Sequence, residues 1–143
     1  MKRVFLDTNI LMDAVEFRKF DAEANAILDL CRAGEIEACA ATMSFATMSY
    51  LLRHHPKEEI HEIFQDLSDA IEVVSVDTSQ FIQAMLYGPV GDFEDLLQYR
   101  CAIAAGCEII ITNDIDDFQE FCQIPCLSAR DFLLFALKNS QIM

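Results

Sequence analysis

Short runs of β-branched and apolar residues alternate along the chain with longer segments whose apolar positions recur every three or four residues. Lys2–Leu6 (KRVFL), Ile71–Val76 (IEVVSV) and Glu108–Thr112 (EIIIT) have the composition and length of strands, with weaker candidates at Ile36–Cys39 and Cys126–Leu127. Between them the spacing predicts helices. Asp21 caps one, with Ala24, Ile27, Leu28 and Cys31 on its apolar side and Gly34 at its end. Pro56 opens a second, with Ile60, Ile63, Phe64 and Leu67 aligned. Asp77 or Thr78 starts a third, which runs through Phe81, Met85 and Leu86 until Gly88, Pro89 and Gly91 break it. Asp92 caps a fourth, Phe93 to Ala105, with Phe93, Leu96, Leu97, Cys101 and Ala104 facing inward. Ser128, with Asp131 three residues on, begins the last, buried through Phe132, Leu133, Phe135 and Ala136.

Strands that alternate with helices predict an α/β fold with a parallel sheet covered on both faces, because parallel neighbours need crossover connections and those are usually helical. In such sheets, sites form beyond the carboxyl ends of the strands. With 143 residues and only four Gly and three Pro, residues 1–143 are expected to form one domain without a linker.

Composition narrows the setting. The longest apolar stretch, Ala38–Leu52, is shorter than the roughly 20 residues of a membrane span and carries Thr42, Ser44, Thr47 and Ser49. MKRVFLD reaches an acid too early for a signal peptide, so no membrane association and a cytoplasmic location are expected. Six cysteines without a CxxC pair suit reduced, buried thiols. His54, His55 and His61 lie close in sequence, but no Cys or acid completes a familiar ligand spacing, so a solvated surface is expected of them. A net charge of −14 disfavours nonspecific attraction to phosphate backbones and favours a basic partner segment. A nucleic-acid function must therefore offset that field locally, as acids do when they bind divalent cations.

Acids do gather at the strand ends. Asp7 follows Leu6 directly, with Asn9 two residues on; Asp114 follows Thr112 by two; and GDFED places Asp92, Glu94 and Asp95 at a helix start. If the first and fourth strands are neighbours, Asp7 and Asp114 emerge side by side, and the first turn of the Asp92 helix can present Asp95 to the same spot. Three carboxylates about 5 Å apart repel by about 3 kcal/mol per pair at an effective dielectric near 20. An oxygen-only set relieves that repulsion best with a hard ion, Mg²⁺ or Mn²⁺, and the chemistry this supports is hydrolysis of a phosphodiester. Structural duties compete for the same residues: Asp92 suits an N-cap, Asp95 suits the third helical position, and Asp116 and Asp117 suit the start of a short helix at Phe118. Asp7 has no such duty, since an acid ending an apolar strand serves packing poorly.

FLDTN near the start, DFEDLLQYRCAIAAGCEIIITNDIDDF in the last third, and an apolar helix after IPCLSARDF together resemble the PIN domain. The likeness is to the branch with D-F-E-D followed by T-x-N/D-x-x-D-F, and it covers essentially the whole chain. It implies a three-layer α/β/α sandwich around a central parallel sheet. It also implies a ribonuclease dependent on one or two Mg²⁺ or Mn²⁺ ions, acting on single-stranded or structured RNA. Kinship with VapC-like toxins adds the expectation of a homodimer and of an antitoxin partner. Carried over by position, Asp7, Asp95 and Asp114 correspond to the first, third and fourth family acids, with Asp117 nearby and Asn9 and Thr112 in support. The second acid falls at Thr47, which is no carboxylate; Glu94 or Asp92 is a candidate to compensate. Arg18, Lys19 and Arg53 are candidate phosphate contacts.

Two other functions fit parts of the pattern. A PIN-like scaffold that only binds RNA or protein is favoured by Thr47 and by the negative charge. A phosphatase resembling the haloacid dehalogenase superfamily would use Asp7 as nucleophile, but it needs a second Asp where Asn9 stands.

Overall fold

A computed structural model describes residues 2–142, with side chains through Asn139. In chain order the elements are β1 (Arg3–Leu6), α1 (Thr8–Val15), α2 (Asp21–Arg32), β2 (Glu37–Ala41), α3 (Thr42–Leu51), α4 (Lys57–Ala70), β3 (Glu72–Val74), α5 (Thr78–Tyr87), α6 (Phe93–Ala104), β4 (Ile109–Ile111), α7 (Ile115–Gln119), β5 (Cys126–Leu127) and α8 (Ala129–Ile142). The five strands form one parallel sheet in the order β3-β2-β1-β4-β5.

Period-two alternation supplies a core on each side of this sheet. Val4, Leu6, Ala38, Ala40, Ile109 and Ile111 point to one face, where α1, α2, α3, α4 and α8 contribute Leu11, Ile27, Met48, Leu67 and Phe132. Phe5, Cys39, Ala41 and Ile110 point to the other, against Ala84 of α5, Leu96 and Tyr99 of α6 and Phe118 of α7. The result is the three-layer α/β/α sandwich expected from the sequence.

The helices differ from the pattern reading in instructive ways. Helix α1 escapes it because Thr8, Ile10, Leu11, Met12, Asp13 and Ala14 are all buried, which leaves no polar face to reveal a helical period. Phe20, not Asp21, is the N-cap of α2; Asp21 is its first residue, where with Glu23 it complements the helix dipole without a side-chain capping bond. On α6 the buried positions are Leu96, Gln98, Tyr99, Cys101 and Ala102, whereas Phe93 and Ala104 are exposed. Phe93 packs edge-on to the exposed Phe81 of α5, ring centroids 5.8 Å apart, instead of entering the core. Met85 and Leu86 are exposed too, and α5 buries Gln80 and Ala84 in their place.

Candidate active site

The strand order makes β1 the centre of the sheet and the point from which connections run both ways, β2 and β3 on one side and β4 and β5 on the other. Crevices in parallel sheets open at such a reversal. Leu6 pairs with Ile111 across the β1–β4 seam, so Asp7 and Thr112 leave the sheet together. The Asp7 N–H completes the ladder by donating to the Ile111 carbonyl at 3.1 Å.

Asp7 is the N-cap of α1 by backbone conformation, yet its side chain makes no capping bond and turns elsewhere. It is 3% exposed and accepts a hydrogen bond at Oδ2 from Thr112 Oγ1 at 2.9 Å. Burial pushes its carboxyl up to about 6; the Thr112 hydroxyl and the Gln98 amide pull it back, and the Asp114 charge pushes it up again. Thr112, fully buried, also accepts from the Asp114 N–H at 3.0 Å, which ties the Asp114 backbone to the Asp7 carboxylate. Asn9 Nδ2 donates to Asp114 Oδ2 at 3.0 Å. Asp7 and Asp114 are thus held by Thr112 and Asn9, one from each strand end.

Asp95 arrives from the other layer. Asp92 is a true N-cap of α6, its Oδ1 accepting from the N–H groups of Glu94 at 2.8 Å and Asp95 at 3.3 Å, and this sets the first turn that carries Asp95. The half-buried Asp95 carboxyl is pushed up to about 7, first by burial and then by Asp7, Asp92, Asp117 and Glu94. Every charge named in that list is negative. Glu94, exposed, is raised by burial and by Asp92. Asp116 and Asp117 are exposed in the first turn of α7, for which Asp114 is the N-cap. With Asn113 and Asp114 they line an open depression of about 310 Å³.

Around the acids lie polar residues, several of them buried, whose placement the sequence motifs do not reveal. Gln98, 1% exposed and one turn after Asp95, has an Oε1 without a hydrogen-bond partner. Thr8 Oγ1 and Ser44 Oγ share a buried hydrogen bond of 2.7 Å that joins the starts of α1 and α3. Thr47, half-buried, lies one turn beyond Ser44 on α3. Asn113 donates to the buried Asp13 at 3.2 Å and accepts from the Ala129 N–H at 3.2 Å, which fixes the β4 exit loop between α1 and α8. A polar residue in an inward helical register, as Gln98 is relative to Leu96 and Tyr99, is the available hint for residues of this kind.

The donor set suits a hard divalent ion. It consists of carboxylate oxygens, and like charges crowd it: the Asp114 charge raises Asp7, and Asp7 in turn raises Asp95. Oxygens of Asp7, Asp95 and Asp114 do not all come within 4.8 Å of one another.

Of the candidate phosphate contacts, Arg18 and Lys19 follow the end of α1 and Arg53 follows the end of α3, away from the helix starts that carry Asp7 and Ser44. Arg18 is exposed after α1; burial raises the Asp13 carboxyl, and the Asn113 bond and the Arg18 charge offset part of that rise. Lys19 stands over the Phe20 ring at 5.3 Å, and the Arg53 guanidinium over Tyr50 at 4.0 Å.

Comparison with known proteins gives a consistent result. A family model described as PIN domain matches residues 3–116. A protein named Ribonuclease VapC1 from Aquifex aeolicus (strain VF5) is 24% identical over 139 residues, covering 85% of this chain and 94% of that protein. Among solved structures, VapBC2 from Rickettsia felis bound to a promoter DNA fragment superposes with a TM-score of 0.67 at 18% identity, over 88% of this chain and 98% of that one. A toxin-antitoxin complex from Klebsiella pneumoniae gives 0.65 at 17% identity, over 88% and 97%.

Proposed function

The chain belongs to the PIN domain family, and on that premise we propose that it is an endoribonuclease dependent on Mg²⁺ or Mn²⁺ and the toxin of a toxin–antitoxin pair. The observation that carries this reading is Asp95, whose carboxyl is raised to about 7 by burial and by four neighbouring acids. A fold that gathers charge in this way at a sheet's switch point is destabilised unless a cation joins it.

Asp7, Asp95 and Asp114 are the residues that would hold one or two ions, with Asp117 nearby. A bound divalent ion lowers the pKa of water and offsets charge on phosphoryl oxygens. Thr112 keeps Asp7 Oδ2 in one orientation, and Asn9 does the same for Asp114. Asp92 holds the first turn of α6, and with it the Asp95 carboxylate. The substrate in this reading is single-stranded or structured RNA, entering beside the depression at Asp114–Asp117. Arg18, Lys19 and Arg53 are the exposed cations available to its phosphates, and Arg53 on Tyr50 offers a face on which a base can stack.

The antitoxin, a basic protein segment, is supported by the VapBC and toxin-antitoxin neighbours and by the net charge of −14. A homodimer and a cytoplasmic location complete the reading; among the described residues no helix is long and apolar enough to cross a membrane. The test is cleavage of RNA by the purified protein with Mn²⁺, together with growth arrest on expression, both expected to vanish in Asp7→Asn. An inert protein whose Asp7→Asn variant behaves identically in both assays overturns it.

Thr47 favours a second reading, in which the scaffold binds RNA or protein without cutting. Calorimetric titration separates the two: no saturable Mn²⁺ binding in the millimolar range supports the scaffold.

A further inference from the structure

At the opposite end of α1 from Asp7, roughly 13 Å along the helix at 1.5 Å per residue, a second group of ligand-type side chains meets. Glu16 is the C-cap of α1, and His54 and His55 follow the end of α3. His54 Nε2 lies 3.4 Å from Glu16 Oε1, and His55 Nε2 lies 3.3 Å from Glu16 Oε2. Among the described residues this is the group of three His, Cys, Asp or Glu side chains whose ligand atoms all fall within 4.8 Å.

We propose that Glu16, His54 and His55 form a second metal site, distinct in chemistry from the acid cluster, that takes a borderline divalent ion of the Zn²⁺ class. Two imidazoles and a carboxylate are a ligand set of that class, with a fourth position left to water. An ion about 2.0–2.1 Å from each ligand in a tetrahedron needs ligand atoms about 3.3–3.4 Å apart; each imidazole already stands at that distance from one Glu16 oxygen, and one atom from each of the three residues falls within 4.8 Å of the others.

The surroundings of His55 give an independent reason. Its Nδ1 lies 3.3 Å from Glu59 Oε1, the outer carboxylate that orients metal-bound histidines. A neutral ring that donates Nδ1–H to Glu59 turns a bare lone pair at Nε2 toward the Glu16 carboxylate, acceptor against acceptor. A cation at that point resolves the conflict. His55 and Glu16 are each 23% exposed and His54 64%, so the site is anchored on one side and open to solvent on the other. An ion there clamps the end of α1 to the end of α3, the two helices that begin beside the acid cluster.

The proposal does not depend on the nuclease reading, and its test keeps the two apart. Zn²⁺ is titrated calorimetrically into the full chain and into Asp7→Asn. One equivalent is expected to bind in both, and His54→Ala to weaken it by more than about 100-fold, with Glu59→Gln costing about 10- to 100-fold. Co²⁺ in place of Zn²⁺ should give the visible bands of tetrahedral coordination. Because the chain has three histidines, imidazole NMR signals provide a measure free of variants: His54 and His55 shift on Zn²⁺ addition and His61, exposed on α4, does not. Absence of saturable Zn²⁺ binding overturns the proposal. So does binding that survives His54→Ala unchanged, binding lost in Asp7→Asn alone, or an imidazole spectrum indifferent to Zn²⁺, the last being the result if a proton on His55 bridges Glu16 and Glu59.

Discussion

Thr112 donates its hydroxyl to Asp7 across the β1–β4 seam at 2.9 Å, and the same oxygen accepts the Asp114 N–H at 3.0 Å. One buried side chain therefore fixes an acid from each strand end. Thr112→Val keeps the shape and removes both bonds. It is expected to weaken Mn²⁺ binding about 10- to 100-fold, the usual cost of losing a partner that orients a metal ligand. It should also raise the Asp7 carboxyl further, because the Thr112 bond holds it down. Mn²⁺ calorimetry and the pH profile of RNA cleavage measure these effects; affinity equal to wild type would remove Thr112 from the positioning role.

The raised acids make stability pH-dependent with a definite sign. Asp7 titrates at about 6 in the fold, above its unfolded value, so the folded chain binds the proton more tightly. The stability this adds is complete below about pH 4 and is lost as pH rises through about 6, and for Asp95 through about 7. Metal-free protein should lose melting temperature over that window, and Mn²⁺ should restore more of it at pH 8 than at pH 5. Asp7→Asn should stabilise the metal-free protein at pH 8 by up to about 3 kcal/mol, in line with a shift of about two pH units, while abolishing cleavage. Thermal denaturation against pH, with and without Mn²⁺, checks both; a melting temperature flat from pH 4 to pH 8 contradicts them.

Asp92 combines a cap and a charge, and substitution can divide them. Asp92→Ser keeps an acceptor for the Glu94 and Asp95 N–H groups, so stability should stay within about 0.5 kcal/mol, whereas Asp92→Ala should cost about 1 kcal/mol. Both remove one of the charges that raise Asp95, so the alkaline rise of cleavage should move to lower pH in each. Equal stability of the two variants would show that the cap bonds at 2.8 and 3.3 Å contribute nothing measurable.

Thr47, half-buried one turn beyond Ser44, is the position at which the family resemblance places a further acid. Thr47→Glu is expected to tighten Mn²⁺ by about tenfold through the added ligand charge and to lower the melting temperature of the metal-free protein, since it adds a carboxylate to an acidic site. Calorimetry and melting curves test the pair of effects. Unchanged affinity would mean that position 47 does not reach the ion.

Much of the candidate site is legible without the fold. Asp7, Asp95 and Asp114 stand out because strand ends and helix starts are local features, and acids there have few packing reasons to exist. Gln98 and Ser44 did not stand out, because a lone polar residue on an apolar helix looks like surface until burial is known. The spacing of Phe93 fits a core position; it is exposed because the inward face of α6 is set by the sheet it lies on, and Gln98 takes a place on that face.

The sequence by itself determined the alternation of strands and helices, the alternation of side chains to the two faces of the sheet, and the positions of the acids at the ends of β1 and β4, since all of these follow from local propensity and period. The tertiary structure decided that β1 lies beside β4, that Asp7 is buried against Thr112, and that Glu16 reaches His54 and His55. Those pairings join residues far apart along the chain, and their distances come from strand register and helix packing, which no local pattern encodes.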